Sequence, residues 1–222
     1  MRYAAALLTA LLLCACGSHA TVIPPGSSAN VERGATTRPW AGYLYVLGSS
    51  TVTIYAPLSS KPTATLQLGS NPYAETVSFD FSGNLYVLMV NKVLEFAPGR
   101  HNPFRTITQG LQGATALKVD RNGTLYVGNY GIPSNVPATI TEYAPGSTSV
   151  LRTIRLGLNV TPTAMAVDAS NDLYVALNTQ KSESIVKYAL GATKPSETIV
   201  QGLSSLTVND MRFDGTLYAA CG

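Results

Sequence analysis

Four acidic turns carry the side chains of this sequence that could do chemistry in concert. They are Asp80-Phe81-Ser82-Gly83-Asn84-Leu85-Tyr86-Val87, Asp120-Arg121-Asn122-Gly123-Thr124-Leu125-Tyr126-Val127, Asp168-Ala169-Ser170-Asn171-Asp172-Leu173-Tyr174-Val175 and Asp214-Gly215-Thr216-Leu217-Tyr218-Ala219. Carboxylates recurring so regularly could ring a cation or share acid–base work. The same aspartates can instead hydrogen-bond to the backbone of their own turns, while glycine supplies the left-handed conformation a tight hairpin needs. The sequence favours the turn role for Asp80, Asp120, Asp168 and Asp214, with Gly83, Gly123 and Gly215 at the bends.

The remaining candidates are sparse. Of two histidines, only His101, in Gly99-Arg100-His101-Asn102-Pro103, lies in the repeated region. No second histidine or suitably spaced cysteine accompanies it, so no transition-metal site is expected. No Gly-x-Ser-x-Gly elbow supports a serine triad. Catalytic residues and metal ligands are therefore not assigned.

The elements that must position these groups are short strands in a repeat. The tyrosines Tyr45, Tyr86, Tyr126, Tyr174 and Tyr218 lie 41, 40, 48 and 44 residues apart, the period of propeller-type arrays. Apolar residues alternate before each turn, as in Leu117 and Val119, and after it Leu125 and Val127 point one way and Tyr126 the other. Third strands are expected over 52–56, 93–97, 140–144 and 185–189, and fourth strands over 63–68, 104–108, 151–156 and 197–200. Ala-Pro ends three of the third strands, since proline cannot continue a ladder. Four antiparallel strands per unit make a blade, so the fold class is an all-β propeller of about four to five blades. The sequence yields about 17 strands where five blades want about 20. Either a strand from the C-terminus closes the ring, or the ring is incomplete, and the sequence favours the second.

The N-terminal segments read differently. Met1-Arg2 precedes an apolar run from Ala4 to Leu13, which suits a secretory leader and is too short to span a bilayer. Leu13-Cys14-Ala15-Cys16-Gly17 resembles the bacterial lipoprotein signal, which implies lipidation at Cys16 and an exported protein, anchored in the membrane by lipid alone and facing the periplasm or the exterior. Residues 1–16 are then the signal, 17–38 a Ser/Gly/Pro-rich tether, and 39–222 the propeller domain. With Cys14 removed and Cys16 acylated, Cys221 has no intrachain partner.

Composition fits an exported β protein: charged residues are 12% of the chain, and no long helical pattern occurs. Loss of Arg2 with the leader takes the 15 basic residues to 14 against 12 acidic. That balance, without a basic stripe, excludes nucleic acid as a partner.

Loops between second and third strands lengthen in the later units, to Asn129–Pro137 and Asn178–Ser184. Long loops on a rigid scaffold are where binding residues tend to lie, which nominates Asn129, Tyr130, Asn178 and Lys181 as ligand contacts.

The Asp-x-x-Gly-x-Leu-Tyr-Val lines and the Tyr-Ala-Pro-Gly lines resemble bacterial propellers with NHL-type repeats, including relatives similar to gluconolactonase and streptogramin lyase. Likeness to the lyase implies a catalytic histidine and Mg²⁺. Likeness to the lactonase implies a central divalent ion such as Ca²⁺ held by acidic and amide side chains. Neither set can be laid residue by residue onto this chain. The expectation is a binding or interaction module of the cell envelope that uses no cofactor and takes a protein, glycan or small ligand. The alternative is a metal-dependent lactonase-like hydrolase or a lyase.

Overall fold

Alternation and turn chemistry build the sheets. The structure, a computed structural model, describes residues 19–22, 42–69, 73–131, 135–179, 182–203, 208–213 and 216–221. Cys16, Lys181, Asp214 and Gly215 lie outside the described residues.

The described chain is all β. The first sheet contains β1 (His19–Val22), β2 (Leu44–Leu47), β3 (Thr51–Tyr55) and β4 (Pro62–Gln67). The second contains β5 (Ala74–Phe79), β6 (Leu85–Met89), β7 (Lys92–Phe96) and β8 (Arg105–Ile107). The third contains β9 (Ala114–Val119), β10 (Leu125–Asn129), β11 (Ala138–Tyr143) and β12 (Val150–Gly157). The fourth contains β13 (Val160–Val167), β14 (Leu173–Thr179), β15 (Glu183–Tyr188) and β16 (Glu197–Leu203). The last two, β17 (Val208–Phe213) and β18 (Leu217–Cys221), form a two-stranded sheet. Each sheet is an antiparallel meander in chain order, and β5, β9, β13 and β17 pack beside one another at the inner edges. These are the blades of a β-propeller.

Each interface between blades is its own apolar cluster. Tyr86, Leu88, Val93 and Ile107 of the second blade pack on Leu117, Val119, Leu125, Val127 and Tyr143 of the third. The opposite face of the second blade, through Leu85, Val87 and Phe96, packs on Tyr45, Leu47, Val52 and Leu66 of the first. The second, third and fourth blades each bury two apolar faces and cannot stand alone. Burying one such Leu or Val contributes about 1.5–3 kcal/mol before chain entropy is subtracted.

The turns are held by their aspartates. Asp120 Oδ1 accepts from the backbone N–H of Asn122 and Thr124, both at 2.8 Å, and Asp168 Oδ1 accepts from Ser170 at 2.8 Å and Asp172 at 2.9 Å. Asp80 accepts from the Asn84 N–H at 2.9 Å. Gly83, Gly123 and Asn171 share the bend position at φ 83°, 86° and 63°.

Two expectations need correction. Four residues of the segment expected as a flexible tether over 17–38 supply β1, which pairs antiparallel with β2 from His19 opposite Leu47 to Val22 opposite Leu44. With this first strand the described residues form 18 strands. It escaped the periodicity because it has no Asp-x-x-Gly turn and lies more than 20 residues from its partner. The fourth unit also lacks the long loop: β14 runs through Asn178 to Thr179, and Thr179 N–H donates to the Ser182 carbonyl at 2.9 Å in a tight hairpin.

Candidate functional site

One row of side chains crosses every blade near the end that carries the Asp-x-x-Gly and Ala-Pro-Gly turns. Strand register sets it. In the second blade Tyr86 lies opposite Glu95, and Glu95 opposite Arg105. In the third, the row is Tyr126, Glu142 and Arg152. In the fourth it is Tyr174, Lys187 and Glu197, and in the first Tyr45, Ile54 and Ala64.

The middle rows are polar inside an apolar interface. The Tyr86 hydroxyl donates to Glu95 Oε1 at 2.9 Å, and Arg105 Nε lies 3.3 Å from Glu95 Oε2, an ion-pair contact without hydrogen-bond alignment. Arg152 engages Glu142 more closely, with Nε 3.1 Å from Oε2 and Nη2 2.6 Å from Oε1. Burial raises the Glu95 carboxyl above the usual range, against the opposing Tyr86 hydrogen bond and Arg105 charge. It also raises the Tyr86 and Tyr126 hydroxyls, with help from the nearby carboxylates, so both stay neutral donors.

The fourth blade reverses the charges. Lys187 Nζ lies 2.8 Å from Asp172 Oδ2 and 3.7 Å from Asp168 Oδ2. The hydrogen bond from Lys187 holds the Asp172 carboxyl below its usual range.

Each arginine also plugs the gap to the next blade. A Cβ built on Gly146 would lie 3.7 Å from Arg105 Nη1, and one on Gly191 would lie 3.5 Å from Arg152 Nη1. Gly99 is the counterpart in the second blade, and nothing lies within 4 Å of the same point there, because its facing residue is Ala64. The consequence is a cleft of about 460 Å³ between the first and second blades, against about 10 Å³ between the third and fourth. The smaller space holds no more than a water.

Tyr43, Tyr45, Ile54, Ala64, Leu66, Leu85, Phe96 and Pro98 form the walls, with Thr63, Arg100 and His101 at the rim. Among the described residues no carboxylate lines it. Burial, with Tyr43 adding, raises the Tyr45 hydroxyl, leaving a neutral donor. Such a lining suits binding of an apolar body. It offers no acid–base pair, since His101 has no acidic neighbour in the cleft.

The described residues among those nominated from sequence, Asn129, Tyr130 and Asn178, lie elsewhere, toward the opposite end of the blades. Asn129 is only 1% exposed. Its amide accepts from the Gln112 N–H at 3.0 Å and donates to Thr141 Oγ1 at 3.1 Å, so it ties the connection between β8 and β9 to β11. Asn178 is a ladder residue opposite Thr161 and Glu183, a further correction to its reading as a loop contact. Tyr130 is exposed at the start of the third-blade loop, and Lys181 lies outside the described residues. Of the three described, Asn129 and Asn178 are held in strand ladders and Tyr130 alone is exposed. Among the described residues no three His, Cys, Asp or Glu side chains gather where they could hold a metal ion, and no helix is long and apolar enough to cross a membrane.

The cleft left a signal in the sequence that the turn pattern hid. Glu95 and Arg105, Glu142 and Arg152, and Lys187 and Glu197 are each ten residues apart, and the same spacing in the first unit falls on Ile54 and Ala64.

No family model and no curated protein matches the chain. Among solved structures it is similar to the hydrazine synthase of Kuenenia stuttgartiensis, at 17% identity and a TM-score of 0.61, over 76% of this chain and 52% of that one. It is also similar to the Dos1 propeller, at 9% identity and a TM-score of 0.57, over 78% of this chain and 48% of the other. The chain spans about half the length of the solved chains it matches. At these identities the likeness speaks for the propeller fold alone.

Proposed function

We propose that this chain is a ligand-binding propeller module whose site is the cleft between its first two blades. One observation carries the reading: the interface plug of Glu and Arg, present at Glu95–Arg105 and Glu142–Arg152, is replaced by Ile54 and Ala64 where the cleft opens. A volume of about 460 Å³ falls in the range of small-molecule sites. An incidental packing defect would more readily have been filled by larger apolar side chains, as elsewhere in the core. The likeness of the turn lines to NHL-type propellers is in keeping with a scaffold role. The N-terminal cysteine signal supports export and anchoring through Cys16, so the module would work at the cell envelope.

The reading is tested by amide chemical-shift mapping of the full chain with 2-naphthylmethanol, a neutral aromatic probe. Shifts centred on Ala64, Leu66, Leu85 and Gly99 are expected. Shifts confined to the Tyr130 loop, or none at all, would reject the cleft as the site.

A further inference from the structure

The cleft's charge pattern says more about its ligand than its shape does. At the plugged interfaces the positive charge comes from within the blade, and a buried glutamate neutralises it. At the open interface no acid among the described residues lines the space, and the nitrogen donors come from the rim, where the Arg100 guanidinium and the His101 imidazole follow Gly99. The equivalent turns carry Ser147 after Gly146 and Ala192 after Gly191, so this feature belongs to the open interface. Among the described residues Arg100 and His101 have no ion-pair partner.

A polar donor is also left over. The hydroxyls of Tyr86 and Tyr174, the counterparts of Tyr45, donate to carboxylates of their own blades, at 2.9 Å to Glu95 and 3.2 Å to Asp168. In the first blade Ile54 stands where Glu95 stands in the second, and Tyr45 makes no hydrogen bond among the described residues. Tyr45, Arg100 and His101 therefore border one space with donors and no acceptor of matching charge, while Leu66, Leu85 and Phe96 close its floor.

From this we infer that the ligand is a small aromatic carboxylate. Its ring lies against Tyr43, Tyr45 and Phe96, which favour aromatic partners over alkyl chains. Its carboxylate occupies the space vacated by the missing plug, accepting from the Tyr45 hydroxyl and facing Arg100 and His101, the arginine fork matching a planar carboxylate. The inference rests on the cleft being the binding site and adds the charge and class of what fills it.

Three probes that share a ring and differ in charge separate the two ideas: 2-naphthoate, 2-naphthylmethanol and 2-naphthylmethylamine, measured by equilibrium dialysis with the full chain. The carboxylate is expected to bind roughly tenfold tighter than the alcohol, the scale of a charge-assisted hydrogen bond, and the amine weaker than both. The preference for the carboxylate should shrink in Arg100→Ala/His101→Ala and in Tyr45→Phe, and should fall as salt rises, since rim charges are screened. Alcohol and carboxylate binding equally, or an unchanged preference in the rim variant, would overturn the carboxylate assignment while leaving the cleft reading intact. Failure of all three probes to bind would remove both.

Discussion

Arg152 and Glu142, opposed on neighbouring strands and ten residues apart, meet side chain to side chain with Nε 3.1 Å from Oε2, and the guanidinium ends against the Gly191 turn of the next blade. The same two positions in the first blade hold Ala64 and Ile54. The Glu–Arg contact stands in two of the four blades, Lys187 and Glu197 take the positions in the fourth, and only the Ile54 and Ala64 pair leaves its interface open.

The plug should behave as a unit. Arg105→Ala leaves Glu95, 2% exposed, with a buried charge and one strong donor, and should cost about 2–4 kcal/mol. The double variant Glu95→Ile/Arg105→Ala copies the first blade and removes the orphaned carboxylate along with its partner. It should cost less than Arg105→Ala alone. Urea midpoints measure both, and a double variant as unstable as the sum of its parts would show that the pair is not coupled as described.

Bend residues should sort by backbone conformation. At φ 86°, Gly123→Val forces a branched side chain into the left-handed region, 3.4 Å from Pro145 Cβ at its first carbon, for a loss on the order of 1–3 kcal/mol. Asn171 holds φ 63° without glycine's freedom, so Asn171→Gly should be neutral or slightly stabilising. Equal effects at the two sites, read from denaturant midpoints, would contradict the turn geometry.

The fourth blade's charges give a pH dependence of known sign. Asp172 is held below its ordinary value by Lys187, so its stabilising contribution is present above about pH 4 and is lost as pH falls through the lowered folded value. Lys187→Met removes that contribution. The stability gap between wild type and variant should therefore be wide near pH 7 and narrow toward about pH 2. A gap that widens on acidification would contradict the pairing.

Anchoring is tested at the residue itself. Cells fed a radiolabelled fatty acid should label the wild-type chain and leave Cys16→Ser unlabelled. A single acyl chain holds a bilayer only marginally, so lasting attachment needs the further chains of a lipoprotein anchor. Label retained by Cys16→Ser would reject this acceptor.

The blades were legible in the sequence because period-two alternation and Asp-x-x-Gly turns are local signals, as at Leu117 to Val127. β1 was not, because its pairing with β2 is non-local and its four residues carry no turn of their own. The setting of the nominated loop residues was hidden for a similar reason. Sequence length alone could not show that Asn129 turns inward to brace Gln112 and Thr141, or that the strand continues through Asn178. The cleft depends on an absence, the missing Glu and Arg at Ile54 and Ala64. Only alignment of strand register across blades makes that visible, since turn motifs say nothing of what third and fourth strands carry.

The most direct measurement is equilibrium dialysis of 2-naphthoate against the full chain carrying Ile54→Glu/Ala64→Arg, which grafts the protein's own plug into its open interface. Thermal melting of the same sample establishes that the variant is folded, and Ala64→Phe provides a second, uncharged filling of the space. The account predicts that both variants melt no lower than wild type by more than a few degrees and that both lose naphthoate binding. Folded variants that bind naphthoate as wild type does would contradict it.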